Sequence, residues 1–229
     1  MATIDTHGTT VRFSRADWGR TLLDFSVSLI ALLVLSPLLL AIAAAVLLET
    51  GRPILFTQSR VGRGGKLFRL FKFRTMQLGK AGPAITSRGD SRVTSVGRFL
   101  RKFKLDELPQ LWNVVRCEMS LVGPRPEVPE FVDVNDPVWL SVLQARPGIT
   151  DPASIAYRHE EELLAEAPDP IRYYRETVLP SKLALNLAYL RDRSLWQDLR
   201  VIARTAHCAT FPGAYDIKES GVVTQKEPE

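Results

Sequence analysis

The chain has 229 residues, 45% of them hydrophobic, enough for one well-buried core with an appendage and too little for two full domains. A formal net charge of +5 points to an acidic partner: nucleic acid, anionic lipid headgroups or a phosphorylated substrate. With only Cys117, Cys208, His7, His159 and His207 as soft ligands and no CxxC pair, a disulfide framework and a zinc site are excluded, and a reducing cytoplasmic face fits.

The first strong signal along the chain is apolar. Phe25 to Leu48 runs 24 residues without a charge between Asp24 and Glu49, long enough to cross a hydrocarbon layer as a helix. It reads as retained rather than cleaved, because residues including Asp5, Asp17 and Asp24 precede it and no small-residue cleavage site closes it. Ser36 and Pro37 interrupt its middle. Proline lacks an amide hydrogen and crowds the carbonyl four residues back, so the helix must kink or break there. Two topologies stand at this point, a spanning helix with a tolerated kink and a re-entrant hairpin with both ends cytoplasmic. Basic residues flank both ends, Arg12, Arg15 and Arg20 before it and Arg52 to Arg74 after it, as a hairpin would have.

Pro53 to Gln58 and Leu67 to Thr75 are rich in apolar and aromatic residues, with Gly62, Gly64 and Gly65 between them, and read as a two-stranded hairpin. The glycines do not make a phosphate loop, since Arg60 and Leu67 stand where a Walker motif needs glycine and a hydroxyl. Thr94 and Ser95 cap a short helix to about Lys102, and a second helix is expected from Leu105 to Arg116, with Leu105, Leu108, Leu111, Trp112 and Val115 on one face. That assignment confines Pro109 to the first turn and sets Asp106 and Glu107 at the helix start, where free amides favour negative charge. An acidic pair at such a position is also an ordinary cap.

The proline-rich stretch Leu121 to Pro129 presents Arg125, and the turn Arg146-Pro147-Gly148 presents Arg146. An arginine in a rigid loop is either solvated or a planar partner for phosphate. From Ile171 onward, leucines and aromatics alternate with Arg and Lys in two amphipathic helices joined near Asp192, which either pack on the domain or lie on a membrane interface. The last fifteen or so residues read as a mobile tail.

Taken together, RPILFTQSRVGRGGKLFRLFKFRTM (Arg52 to Met76), DSRVTSVGRFLRKFKLDELPQLWNVV (Asp90 to Val115), SLVGPRPE (Ser120 to Glu127) and RPGIT (Arg146 to Thr150) resemble the bacterial sugar transferase family, the monotopic phosphoglycosyl transferases. The resemblance runs in order from about Arg20 to Thr150. After Thr150 the chain reads DPASIAYRHEEELL, a departure from the family's common continuation at which analogy for sugar choice lapses. The chain lacks the extra N-terminal spanning helices of larger members and resembles the minimal form.

The resemblance implies a re-entrant helix-break-helix at Ser36-Pro37 on the cytoplasmic face of a bacterial inner membrane. It implies that Asp106-Glu107 is the family's catalytic dyad, with Asp106 the nucleophile on the sugar-linked phosphorus. The implied reaction passes a sugar 1-phosphate from a nucleotide sugar, UDP-linked, to polyprenyl (undecaprenyl) phosphate through a phosphosugar-aspartyl intermediate. It releases nucleoside monophosphate and starts capsule, exopolysaccharide, O-antigen or glycoprotein glycan assembly. A diphosphate needs a cation beside it, so magnesium is expected on Glu107 together with Asp106. Arg101 and Arg125, then Lys72, Arg74 and Arg146, are the candidates to hold phosphate oxygens. The expected class is α+β, mainly α: an N-terminal segment 1–20, a re-entrant helix 21–50, a cytoplasmic domain 51–213 with a β-hairpin and amphipathic interfacial helices, and a tail 214–229. Competing readings are a glycosyltransferase that moves the sugar alone and a basic peripheral protein binding lipid or nucleic acid. An uncharged 24-residue segment has no place in a nucleic-acid account. Sugar, polyprenol and oligomeric state are not written in the sequence.

Overall fold

The computed structural model describes residues 15–79 and 90–210, so the expected tail at 214–229 and most of the segment 1–20 lie outside the described residues. The chain is mainly helical. It opens with α1 (Arg15–Val34) and α2 (Ser36–Thr50), bent by 63° at their junction. Pro37 has no amide hydrogen for the carbonyl of Leu33, and the Ser36 hydroxyl donates to that oxygen instead, at 2.7 Å. Leu35 and Leu39 continue the backbone ladder across the bend at 2.8 Å each. The Leu33 carbonyl that Pro37 leaves without its usual donor thus keeps a hydrogen bond across the break. No single described helix is long and apolar enough to cross a membrane; the bent pair together meets that length and composition. Much of its apolar surface is uncovered by protein, Leu40 at 71% and Leu48 at 87% exposure.

The other side of α2 is packed. Ile42 and Val46 form a core with Phe73 and Leu100, and Leu105 and Leu108 close its margin. The hairpin supplies Phe73: β1 (Leu55–Val61) pairs antiparallel with β2 (Leu67–Phe73), Leu55 opposite Phe73 and Val61 opposite Leu67. The connecting 3-10 turn Arg63–Gly65 has Gly64 and Gly65 at φ 67 and 76, left-handed values that glycine adopts without strain. The first strand starts later and runs further, to Val61, than its sequence suggested.

Helix α3 (Ser95–Lys102) is capped by Thr94, whose hydroxyl accepts from the Gly97 amide at 2.9 Å. Its first amides are also bound from a distance. Glu49, at the end of α2, accepts from Ser95 at 2.8 Å and from Val96 at 3.2 Å. Arg74, just past β2, donates to the carbonyls of Thr50 and Gly51 at 2.8 and 2.6 Å. The end of α2, the hairpin and the start of α3 thus form one knot.

The helix expected from Leu105 to Arg116 is divided. Leu105–Glu107 is a 3-10 turn, Pro109 is an N-cap, and α4 covers only Gln110–Val115. Proline at 109 cannot donate to the Leu105 carbonyl, which instead accepts from Leu108 at 3.3 Å, so the segment tightens. Trp112 is half-exposed, while Gln110, Leu111, Asn113 and Val114 form the buried face.

Two segments read as loops prove to be strands. β3 (Ser120–Val122) pairs in parallel with β4 (Gly148–Thr150), Ser120 opposite Gly148 and Val122 opposite Thr150. The crossover between them carries α5 (Pro137–Val142). Beyond β4 come α6 (Pro152–Ala156), α7 (Glu160–Glu166) and α8 (Pro170–Tyr173), which continues through a π turn, Tyr174–Val178, into α9 (Leu179–Arg191); α10 is Leu195–Thr210. The main core joins Trp139 and Val142 of α5 and Leu143 just after it to Leu164, Tyr174, Val178, Leu179 and Leu183. Of the two amphipathic helices, α9 packs on the domain, whereas α10 leaves Leu195, Trp196 and Leu199 exposed.

α1 is clasped by polar groups. Asp24 accepts from the Ser120 hydroxyl at 2.5 Å, Arg20 donates to Asp198 of α10 at 2.8 Å, and Arg146 donates to the Thr21 hydroxyl at 2.7 Å.

Glycine at 148 is required by the β3 to β4 contact, because a Cβ there would overlap the Gly123 backbone, which no side-chain rotation can relieve. Gly148→Ala is expected to cost at least about 1–3 kcal/mol of stability, the range for forcing a methyl into packed surroundings. Chemical denaturation reads this directly, and an unchanged midpoint would show that the strand pair tolerates separation.

Candidate active site

The site is built where β2, the 3-10 turn and the loop after β3 meet. Lys72 is partly buried on β2, two residues after the buried Leu70 and on the same face. Its Nζ donates to Glu107 Oε1 at 2.9 Å. From the other side Arg125 grips the same carboxylate with two nitrogens, Nη2 to Oε1 at 2.6 Å and Nη1 to Oε2 at 3.3 Å. Glu107 is only 8% exposed. Burial pushes its carboxyl pKa up, but Arg125 and Lys72 outweigh burial and hold it well below the usual carboxylate range. Burial pushes the Lys72 ammonium down, with Glu107 opposing. The Glu107 charge drives Arg125 up.

Asp106 is treated differently. It is 7% exposed, and among the described residues its Oδ1 is buried with no hydrogen-bond partner. Burial raises its pKa, the neighbouring Glu107 charge adds to the rise, and Lys72, Lys104 and Arg101 act against it. Two adjacent carboxylates thus have opposite environments, one neutralised and one left with an uncommitted oxygen. Pairs of carboxylates with environments split this way are the ones that can divide two chemical roles between them.

Lys104 sets the turn. Its backbone is left-handed, φ 56, two residues past the end of α3, and the turn it makes directs Asp106 and Glu107 inward. Of the five basic candidates, Lys72 and Arg125 bind Glu107 directly. Arg101 acts on Asp106 and donates to the Thr75 hydroxyl at 3.2 Å and to Glu161 at 3.1 Å. Arg74 and Arg146 bind protein oxygens instead, at the end of α2 and at Thr21 of α1. Ser36 and Pro37 form the bend between α1 and α2.

Several residues of the surround were not singled out from sequence. Glu127 accepts from the Tyr174 hydroxyl at 2.6 Å and lies 3.7 Å from Arg60. Asp151 receives the Arg125 amide at 2.7 Å. The Asp151-Pro152 pair carried a local signal, since aspartate before proline is a common helix start, and Asp151 does cap α6. Its tie to Arg125 had no local signal.

The residues suit a magnesium ion. The bare Asp106 Oδ1 beside Glu107 offers hard oxygen donors. Among the described residues no cluster of three or more Asp, Glu, His or Cys groups forms a ready-made cage. An ion held here would take its remaining oxygens from substrate phosphates and water, the usual habit of magnesium.

Comparison with known proteins accords with this geometry. The family described as bacterial sugar transferase matches residues 15–211. A UDP-glucose:undecaprenyl-phosphate glucose-1-phosphate transferase of Caulobacter vibrioides is 38% identical over 196 residues, covering 82% of this chain and 68% of the relative. A UDP-N-acetylgalactosamine-undecaprenyl-phosphate N-acetylgalactosaminephosphotransferase of Aeromonas hydrophila is 37% identical over 188 residues, 80% of this chain and 41% of the relative. An undecaprenyl-phosphate glucose phosphotransferase of Komagataeibacter xylinus is 37% identical over 191 residues, 80% of this chain and 34% of the relative. The chain therefore spans about two thirds of the first of these and less than half of the other two. With the family match running from the first described helix to the end of α10 and enclosing the Asp106-Glu107 turn, the chain belongs to the bacterial sugar transferase family.

Proposed function

We propose that the protein transfers a sugar 1-phosphate from a UDP-sugar to undecaprenyl phosphate at a membrane surface, with Asp106 as the nucleophile. The observation that carries the reading is the buried Asp106 oxygen without a partner beside a fully engaged Glu107. The names of the relatives supply the substrate class. They name glucose and N-acetylgalactosamine, so the sugar itself is left open.

In the first half-reaction an ionised Asp106 oxygen attacks the sugar-bearing phosphorus. A bond forms from carboxylate oxygen to phosphorus, and the bond from that phosphorus to the bridging oxygen breaks. UMP leaves with the electron pair, and the phosphosugar remains on Asp106. In the second, an oxygen of undecaprenyl phosphate attacks the same phosphorus and expels the Asp106 carboxylate, giving undecaprenyl diphosphate sugar. Bound magnesium would offset the charge of the diphosphate. Lys72 and Arg125 keep Glu107 ionised and fixed, and Arg101 and Lys104 add positive potential where phosphate charge arrives. The raised pKa of Asp106 suits its role, since a carboxylate poorly solvated in the resting site is a stronger nucleophile once ionised.

The membrane reading follows from α1 and α2. Their exposed leucines, the 63° bend and the Ser36 hydroxyl that satisfies the Leu33 carbonyl at it support a re-entrant hairpin held in one leaflet, with the domain on the cytoplasmic face of the inner membrane. The exposed Leu195, Trp196 and Leu199 of α10 suit the interface, where tryptophan gathers.

Incubation with UDP-sugar and magnesium, without lipid, should release at most one equivalent of UMP and add one phosphosugar to the protein at Asp106. Excess chelator or Asp106→Asn should abolish both. Release of UDP, or near-normal turnover by Asp106→Asn, would overturn the reading.

The same substitution should raise stability. A carboxyl whose pKa is raised on folding favours the folded state when protonated, so its ionisation costs stability above that raised pKa. Asp106→Asn is expected to melt higher than the parent at neutral pH, by about 2–4 °C per kcal/mol recovered, with the advantage shrinking as the pH falls from the raised pKa to the ordinary carboxylate range and gone below it. A melting point lowered at neutral pH counts against the assigned environment.

For topology, single cysteines at Thr6 and Gly79 should both resist an impermeant thiol reagent in intact cells and both react after permeabilisation. Labelling of one in intact cells and not the other would favour a spanning helix.

A further inference from the structure

Asp151 is completely buried, and its carboxylate meets donors from three parts of the chain. Oδ2 accepts from the Arg125 backbone amide at 2.7 Å and from Asn186 Nδ2 of α9 at 3.1 Å; Oδ1 accepts from the Ser154 amide in α6. Capping α6 requires only the last of these bonds, and asparagine or serine would make it equally well. The other oxygen is spent on the loop that presents Arg125. In the stretch Pro124-Arg125-Pro126 the prolines have no amide hydrogen, so the Arg125 amide is the one backbone donor available to fix the loop. The stretch is held at either side by its carbonyls, Pro124 accepting from the Gly148 amide at 3.0 Å and Pro126 from Arg60 at 3.1 Å. Between those two carbonyl anchors, Asp151 fixes the backbone of the very residue whose guanidinium clasps Glu107.

We propose that Asp151 is a positioning residue for the transfer reaction, anchoring the Arg125 amide to α6 and α9 so that the Arg125 guanidinium stays on Glu107 and Asp106 remains the uncommitted carboxylate. The inference rests on the phosphosugar-transfer reading above. It predicts an effect on the chemical step larger than on substrate capture, because in this geometry Arg125 engages Glu107 with two nitrogens. A shift of about 1 Å in such a group costs on the order of a hundredfold in rate.

The test uses the full chain in detergent or nanodiscs and follows UMP release. Asp151→Asn keeps the capping oxygen and the side-chain shape but turns an amide group toward the Arg125 and Asn186 donors. Its kcat should fall roughly ten- to hundredfold, with KM for the UDP-sugar within about threefold of the parent. Combined with Arg125→Ala it should lose little beyond Arg125→Ala alone, since residues acting through one another are not additive. Asp151→Ser, which also retains a cap, gives the same comparison if the asparagine variant does not fold. Asp136→Ala, which removes the α5 cap, should lower the melting point and leave kcat unchanged, separating cap loss from positioning. A parent-like kcat in either Asp151 variant, or a double-variant loss equal to the product of the two single losses, overturns the role of Asp151. Absence of UMP release by the unaltered protein would instead overturn the transfer reading.

Discussion

Carboxylates on neighbouring residues, both shielded from water, repel each other, and a fold can keep both only by matching at least one with cations. Here the matching is lopsided. Glu107 receives Lys72 from the hairpin and Arg125 from the loop after β3, while Asp106 receives neither directly. Removing either cation would leave the buried Glu107 charge only half matched. The meeting of β2, the 3-10 turn and the β3 loop is therefore fixed by charge as much as by packing.

Each cation must itself be aimed. Lys72 is aimed by strand register: it stands opposite Phe56, and a slip of one residue would turn it to the other face of the hairpin. That register is guarded by Asn113, whose side chain accepts from the Phe71 amide at 3.1 Å and donates to the Arg69 carbonyl at 2.7 Å, a side chain imitating a third strand. Arg125 is aimed by the prolines around it and by β3 to β4 pairing, which needs glycine at 123 and 148 to bring the two backbones close. The motif residues between Leu121 and Gly148 with no chemical function of their own set this separation.

What was legible in the sequence was local. The Ser36-Pro37 break, the Thr94 cap, the hairpin around its glycines and the acidic pair in LDELPQLWN each leave a signature within a few residues. The 3-10 turn at Leu105–Glu107 was misread as a helix start because Pro109 is tolerated in a first turn, and the left-handed backbone of Lys104 has no mark in residue type. β3 and β4 are too short to show alternation, and the prolines beside them, Pro124 and Pro147, read as loop. The sequence ranked Arg125 above Arg74 and Arg146 by its place in the proline-rich turn, but only the tertiary fold shows what each one binds, protein oxygens for Arg74 and Arg146 and a carboxylate for Arg125.

Glu49 and Arg74 close the end of α2 from opposite directions, one bound to the first amides of α3 and the other to the last carbonyls of α2. Ile42 and Val46 of the same helix share a core with Leu100, and Leu105 at its edge is the first residue of the turn that holds Asp106 and Glu107. The arm proposed to enter the bilayer is thus packed directly against the turn that carries Asp106. In the proposed topology, a bilayer whose hydrocarbon thickness mismatches that arm tilts it, and the tilt carries the nucleophile toward or away from the plane of the lipid phosphates. Membrane thickness and chain composition then act as determinants of turnover, through the height at which the enzyme meets its lipid substrate.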